Sequence, residues 1–372
     1  MVYELIVFCE CIFNKNEKSK KEIAQMISNE IYRDGKNQSF KRDESFDVMK
    51  GLGIILMIWV HCRTEAISHF AYTFHMPLFL FVSGYFFKSR SFKKELSLDI
   101  QRIVVPYVFT CLVMVLFAFS AFDKFTFGSM SKVALYSPLW GGAVFGHLFA
   151  VQESLFIGPL WFLLGLLWTR LMAGVLFRFV KNDMVCGAII FILAIVAKCA
   201  FEVFDHIPLS FLQAFGCLGF FYMGYLAKKY DLLNNVNMKR LLPVCLLCWL
   251  YCMTFSSLAL HKCMYEGFYI LDILGAWGIF CVLWVLVKNV YCENNWFWKI
   301  IQFVGRNSII VLCIHAVDHC MLYRWSAVGS QLINLVGNIP ITFARLAFAI
   351  LLSYLLTKNK FLYEKIFCMK KR

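Results

Sequence analysis

The sequence predicts an all-α, polytopic membrane protein with about ten transmembrane helices and both termini cytoplasmic. Three observations carry that prediction. Of 372 residues, 60% are apolar, where soluble domains hold about 45–50%. Charged residues fall to 16%, against about 25% in soluble domains. Mean hydropathy is +0.67, and the apolar residues gather into runs of near-span length. That much apolar surface, with 39 Phe, exceeds what a water-exposed globule of 43.2 kDa can hide. The composition also excludes a disordered chain, a coiled coil and a small disulfide scaffold.

A helix crossing the hydrocarbon core takes about 20 mostly apolar residues. Such runs lie at about 49–66, 72–88, 103–122, 157–178, 184–203, 208–227, 241–260, 267–287, 304–322 and 340–357. Charged or polar breaks separate them: Arg63–Glu65, Lys88–Lys94, Lys228–Asp231, Asn234–Arg240 and Glu293–Asn295. The longest connection, Asp123–Gln152, has room for an interfacial helix. Three regions follow: a cytoplasmic segment 1–45, a membrane domain 46–357 and a basic cytoplasmic tail 358–372. Met1–Phe13 is apolar but too short to span. It carries Glu4 and Glu10 and no basic n-region of a signal peptide, so it reads as interfacial or as lying ahead of the true start.

The net charge of +14 is explained by topology. With the N-terminus inside, cytoplasmic segments hold 30 of the 37 Lys and Arg and the opposite side holds 7, the asymmetry that cytoplasmic loops show. Nucleic acid is therefore not an expected partner, and membrane lipids are. The 16 Cys lie mostly inside spans as small apolar fillers. Cys245, Cys248 and Cys252 share one helix face and read as packing residues; no metal site is expected.

Ionisable residues inside the membrane are costly, so each is a functional candidate. In this topology none of the eight His falls in a cytoplasmic segment. His61 stands toward the outer end of the first span and Lys50 at its inner end. Eleven residues apart, they are about 20° off a whole number of turns and about 16 Å apart along the axis. They share one face, joined by Asp47 three residues before Lys50 and Glu65 four after His61.

The run from Lys50 through Trp59-Val60-His61 resembles the Arg/Lys-x10-His motif of the membrane-bound acyltransferase-3 family. Phe74-His75-Met76-Pro77 through Ser83-Gly84-Tyr85, and then Arg102 through Pro106-Tyr107, resemble its second and third helices. Gly158-Pro159-Leu160-Trp161 and Gly305-Arg306-Asn307-Ser308 through His315 match later signatures. The resemblance covers about Phe46 to Leu356, and its flavour is closest to the fucose 4-O-acetylase-like sugar O-acetyltransferases. Two departures stand out. Lys50 replaces the more usual Arg, losing its bidentate fork. Leu98 sits four residues before Arg102, where a second cation is expected.

The resemblance implies an acyltransferase of the inner (plasma) membrane. It would move an acyl group, taken as acetyl, from cytoplasmic acyl-CoA to a hydroxyl of a cell-surface glycan or lipid-linked precursor. Acetyl-CoA is then a co-substrate, and no permanently bound cofactor is expected. Lys50, Arg90 and Arg102, with Asp47 beside Lys50, are assigned to the donor. His61 is the proton acceptor, with Glu65 setting its tautomer. His75, Trp161, His315 and Glu153 are assigned to the acceptor. The rival class is a secondary transporter or flippase for a lipid-linked sugar. It lacks support from an internal repeat or from paired broken helices.

Overall fold

The computed structural model describes residues 43–61, 65–88, 91–121, 158–203, 208–234, 236–256, 258–265, 268–319 and 337–369. The Asp123–Gln152 connection and nearly all of the 1–45 segment lie outside them. The described chain is helical except for one small hairpin.

Helix α1 spans Glu44–Val60 and is capped by Asp43, whose side chain accepts the Ser45 N–H at 3.0 Å. The cap starts the helix five residues ahead of the expected span, and the helix stops at Val60 instead of running to 66. Short helices α2 (Glu65–Tyr72) and α3 (His75–Tyr85) follow. Helix α4 (Phe92–Asp99) passes through a π-helical turn, Ile100–Val104, into α5 (Val105–Ala121). Pro106 lacks an N–H, so the Arg102 carbonyl loses its normal helical donor and the backbone widens just before it.

A 3₁₀ turn at Gly158–Leu160 opens α6 (Trp161–Phe179), followed by α7 (Asp183–Val203) and α8 (Phe211–Lys229). Helix α9 (Val236–Phe255) leads to a hairpin in which β1 (Leu258–Ala259) pairs antiparallel with β2 (Met264–Tyr265). Among the described residues four more helices follow, α10 (Tyr269–Val290), α11 (Trp296–Arg306), α12 (Ser308–Val317) and α13 (Asn338–Lys358), and then a π-helical turn, Leu362–Ile366.

Among the described residues, five segments are long and apolar enough to cross a membrane: Phe92–Met114, Gly158–Phe179, Asp183–Val203, Tyr269–Val290 and Ile339–Lys358. A sixth arises if α11 and α12, bent by 78°, form one broken span. Among the described residues, two of the ten expected runs are not single long helices. The 72–88 run holds an 11-residue helix, and the 304–322 run is split at Asn307.

Helices α1, α3 and α12 are short and mostly buried. Eleven of the 17 residues of α1 are buried, so its length need not match the bilayer. By contrast α7 exposes Ile192, Ile195 and Val196, and α13 exposes Phe343, Leu351 and Leu355, as lipid-facing helices do.

Two close crossings fix this centre. Where α3 meets α8, a Cβ on Gly84 would overlap the Phe221 carbonyl, and one on Gly224 the Phe81 carbonyl. Where α1 meets α11, a Cβ on Gly51 would overlap the Ile301 carbonyl, and one on Gly305 the Asp47 carbonyl. Helix association in membranes relies on such backbone approach through small residues.

Candidate active site

A cavity of about 370 Å³ runs along α1, and both Lys50 and His61 line it. Ile54 and Met57, one and two turns on from Lys50, line the stretch between them. The shared face inferred from their spacing is thus the cavity face.

At the Lys50 end the charges form a network. Lys50 Nζ is 3.0 Å from Asp47, which is 1% exposed. Asp47 also takes Arg306 at 3.5 Å, and Arg306 bonds Glu44 at 2.7 Å. Lys288 reaches the Asp43 cap at 2.8 Å. Burial works to raise the Asp43 carboxyl, but hydrogen bonds from Lys288 and Ser45 outweigh it and hold it below the ordinary value. Arg306, taken by both Asp47 and Glu44, therefore ties α11 to α1. On the neighbouring wall Ser83 accepts a bond from Arg170 at 3.2 Å, and Arg170 is paired with Asp99 at 2.9 Å.

At the other end three histidines meet. Nδ1 of His61 lies 2.9 Å from Nε2 of His315, with the rings stacked at 5.1 Å and 11°. The His319 ring is 5.0 Å from His61 and 5.6 Å from His315. Beside them Asp318 and Arg345 form an ion pair at 2.6 Å, with side chains 10% and 7% exposed. Breaking a buried pair leaves an uncompensated charge and costs about 3–5 kcal/mol. Asp318→Ala should therefore lower the melting temperature of the purified chain sharply, and adding Arg345→Met should recover most of the loss. A double variant no more stable than the single one would show that the pair is not what Asp318 contributes.

His75, buried at 2% exposure, donates from Nδ1 to the Ala71 carbonyl at 2.6 Å. In the neutral ring this leaves the lone pair on Nε2, and His75 lines the cavity. Trp161 also lines it, its ring 6.2 Å from that of His261. His261 sits at the turn of the β1–β2 hairpin, and its carbonyl accepts from Gln213 at 3.2 Å.

Lys50, His61, His75 and Trp161 are thus brought to one cavity, with Asp47 directly behind Lys50. Two expected residues stand elsewhere. Arg102 is exposed on the π-helical turn and off the cavity wall. His315 lies behind His61, not on the wall. The Glu65 side chain, Arg90 and Glu153 lie outside the described residues. Sequence reading did not single out Arg170, His261, His319 or the Asp318–Arg345 pair. A signal existed for two of them: Arg170 and Arg345 each interrupt an apolar run, where a charge is costly.

The fold and the cavity define a multi-pass membrane protein with a histidine cluster and a cation at opposite ends of a buried pocket. Residues 43–358 match the family model described as an acyltransferase domain, acyltransferase-3. The chain belongs to this family of membrane acyltransferases. No curated protein matches it.

Proposed function

We propose that the protein is an integral membrane O-acyltransferase of the inner (plasma) membrane. It takes an acyl group, acetyl in the simplest case, from cytoplasmic acyl-CoA. It delivers that group to a hydroxyl of a cell-surface glycan or lipid-linked precursor. The observation that carries this reading is the single cavity holding Lys50 at one end and His61 at the other, about 16 Å apart along α1.

The donor enters at the Lys50 end. An ammonium has three donors, so Lys50 can keep its bond to Asp47 and still bond a CoA phosphate. Arg102 and Arg90 are assigned in this reading to the nucleotide part of the donor, outside the cavity. Ser83, held by Arg170, adds a polar contact. The pantetheine arm occupies the middle of the cavity, whose walls include Ile54, Met57, Val82 and Leu312. The arm brings the thioester toward His61.

A sugar hydroxyl is a weak nucleophile and needs a base as it attacks. With its own proton on Nδ1, His61 takes the hydroxyl proton on Nε2 while the oxygen attacks the thioester carbonyl. The new acyl–oxygen bond forms and the carbon–sulfur bond breaks. The proton held by His61 then goes to the departing CoA thiolate, which regenerates the base. The lone pair of His75 Nε2 accepts a hydrogen bond from the acceptor, and the Trp161 face stacks on its ring. Glu65 keeps, in this reading, the role of setting the His61 tautomer.

The test is donor kinetics of the purified full chain in lipid nanodiscs with acetyl-CoA. Lys50→Met should raise the donor KM roughly tenfold with kcat nearly unchanged, because a phosphate contact made equally in ground and transition states acts on KM alone. The defect should narrow as salt rises in the wild type, since exposed charge contacts are screened. An unchanged KM would remove Lys50 from the donor site. Absence of any acetyl-CoA turnover, with membrane glycolipid supplied as acceptor, would overturn the function.

A further inference from the structure

His315 is 1% exposed and lies off the cavity wall, behind the wall residues His61 and His319. A ring-to-ring contact of 2.9 Å requires one proton between the two nitrogens, so the protonation of the two rings is joint. There are two neutral arrangements. With the shared proton on His61 Nδ1, the lone pair of His61 is on Nε2 and can accept a proton. With it on His315 Nε2, His61 carries its own proton on Nε2 and can only donate. Acyl transfer of the kind proposed above needs the first.

Two rings and an ion pair surround His315, and its Nδ1 has no hydrogen-bond partner among the described residues. Rings of His61 and His319 flank it at 5.1 and 5.6 Å. Arg345 lies within electrostatic reach, and Asp318 neutralises it at 2.6 Å. The pair adds no net charge beside the imidazoles, yet each member is costly to bury and held in place by the other.

We infer that His315 is a positioning residue: it holds the proton of His61 on Nδ1 and shares the positive charge that His61 acquires during acyl transfer. Its role rests on the acyl-transfer reading of His61; the shared-proton bond does not. When His61 gains a second proton, its Nδ1–H bond to His315 becomes charge-assisted, about twice the strength of a neutral one. Histidines four apart on α12 and its continuation place His319 on the same side. It stands against the cavity, and His315 behind it.

The experiment is nitrogen NMR of the full chain in lipid nanodiscs, with the histidine rings labelled with nitrogen-15. Wild type should show a through-hydrogen-bond correlation between one Nδ1 and one Nε2. The correlation should vanish in His61→Gln and His315→Gln and persist in His319→Gln. In His315→Gln the fraction of His61 protonated on Nδ1 should fall. The same variant should lose at least tenfold in kcat for acetyl-CoA turnover with donor KM unchanged. A wild type without the correlation overturns the inference even if His315→Gln fails to fold. An unchanged His61 spectrum in a folded His315→Gln protein overturns it as well. A chain that shows the correlation but turns over no acetyl-CoA refutes the function and leaves the histidine pair standing.

Discussion

His61→Ala is expected to cripple acyl transfer while leaving donor binding intact. General base catalysis contributes about 10²–10⁴-fold, and turnover should fall by that range. The affinity for CoA should stay within about twofold, because the phosphate contacts proposed for Lys50 would lie roughly 16 Å away along α1. CoA release and transfer of labelled acetyl into extracted glycolipid measure the first; equilibrium binding of CoA measures the second. Set beside Lys50→Met, the two variants should divide cleanly: one loses kcat, the other KM. A His61→Ala protein that acylates within twofold of wild type would transfer the base role elsewhere. His75 would be the first candidate, because its Nδ1 is committed to the Ala71 carbonyl and its lone pair is on Nε2.

The division between what could and could not be read from the sequence follows the range of the contacts. Lys50 and His61 were legible because both stand on one helix, and helical periodicity alone puts them on one face. Asp47 was legible as a neighbour of Lys50 for the same reason. Its second partner, Arg306, lies on α11, and no local period predicts that. The bond from His61 to His315 joins residues 254 apart in the chain, so the sequence reading assigned His315 to the acceptor and not to a partnership with His61. Arg102 read as a donor contact because of its place before Pro106. The same proline produces the π-helical turn on which it is exposed. The runs differ from the helices for a physical reason too: hydropathy sums over a window and does not register the breaks at His61 and Asn307. Helices buried by protein, as α1 and α3 are, can be shorter than the bilayer is thick.

Substitution of glycine tests whether the α1–α11 crossing positions the Lys50 end of the cavity. Gly305→Ala should be strongly destabilising. The added Cβ would meet the Asp47 carbonyl and also lie 2.7 Å from the Gly51 N. Backbone atoms on both counts cannot rotate away as a side chain can, so the helices must separate. Overpacking a close-packed interior costs about 1–3 kcal/mol and occasionally more, and a backbone clash belongs at the upper end or beyond. Separation would also draw Arg306, the next residue, away from Asp47 and loosen the hold of Asp47 on Lys50. The expected result is a large fall in melting temperature, with a raised donor KM in whatever protein still folds. Gly187→Ala on α7 is the matched control. Its Cβ would meet nothing closer than 3.9 Å, the Tyr222 ring, and alanine favours a helix over glycine by about 1 kcal/mol. That variant should be neutral or more stable. The same chemical change thus carries opposite signs at two helical positions, depending on whether a neighbouring backbone occupies the space. If Gly305→Ala behaves like Gly187→Ala, α1 and α11 do not touch there, and Asp47 cannot be the link between Lys50 and Arg306.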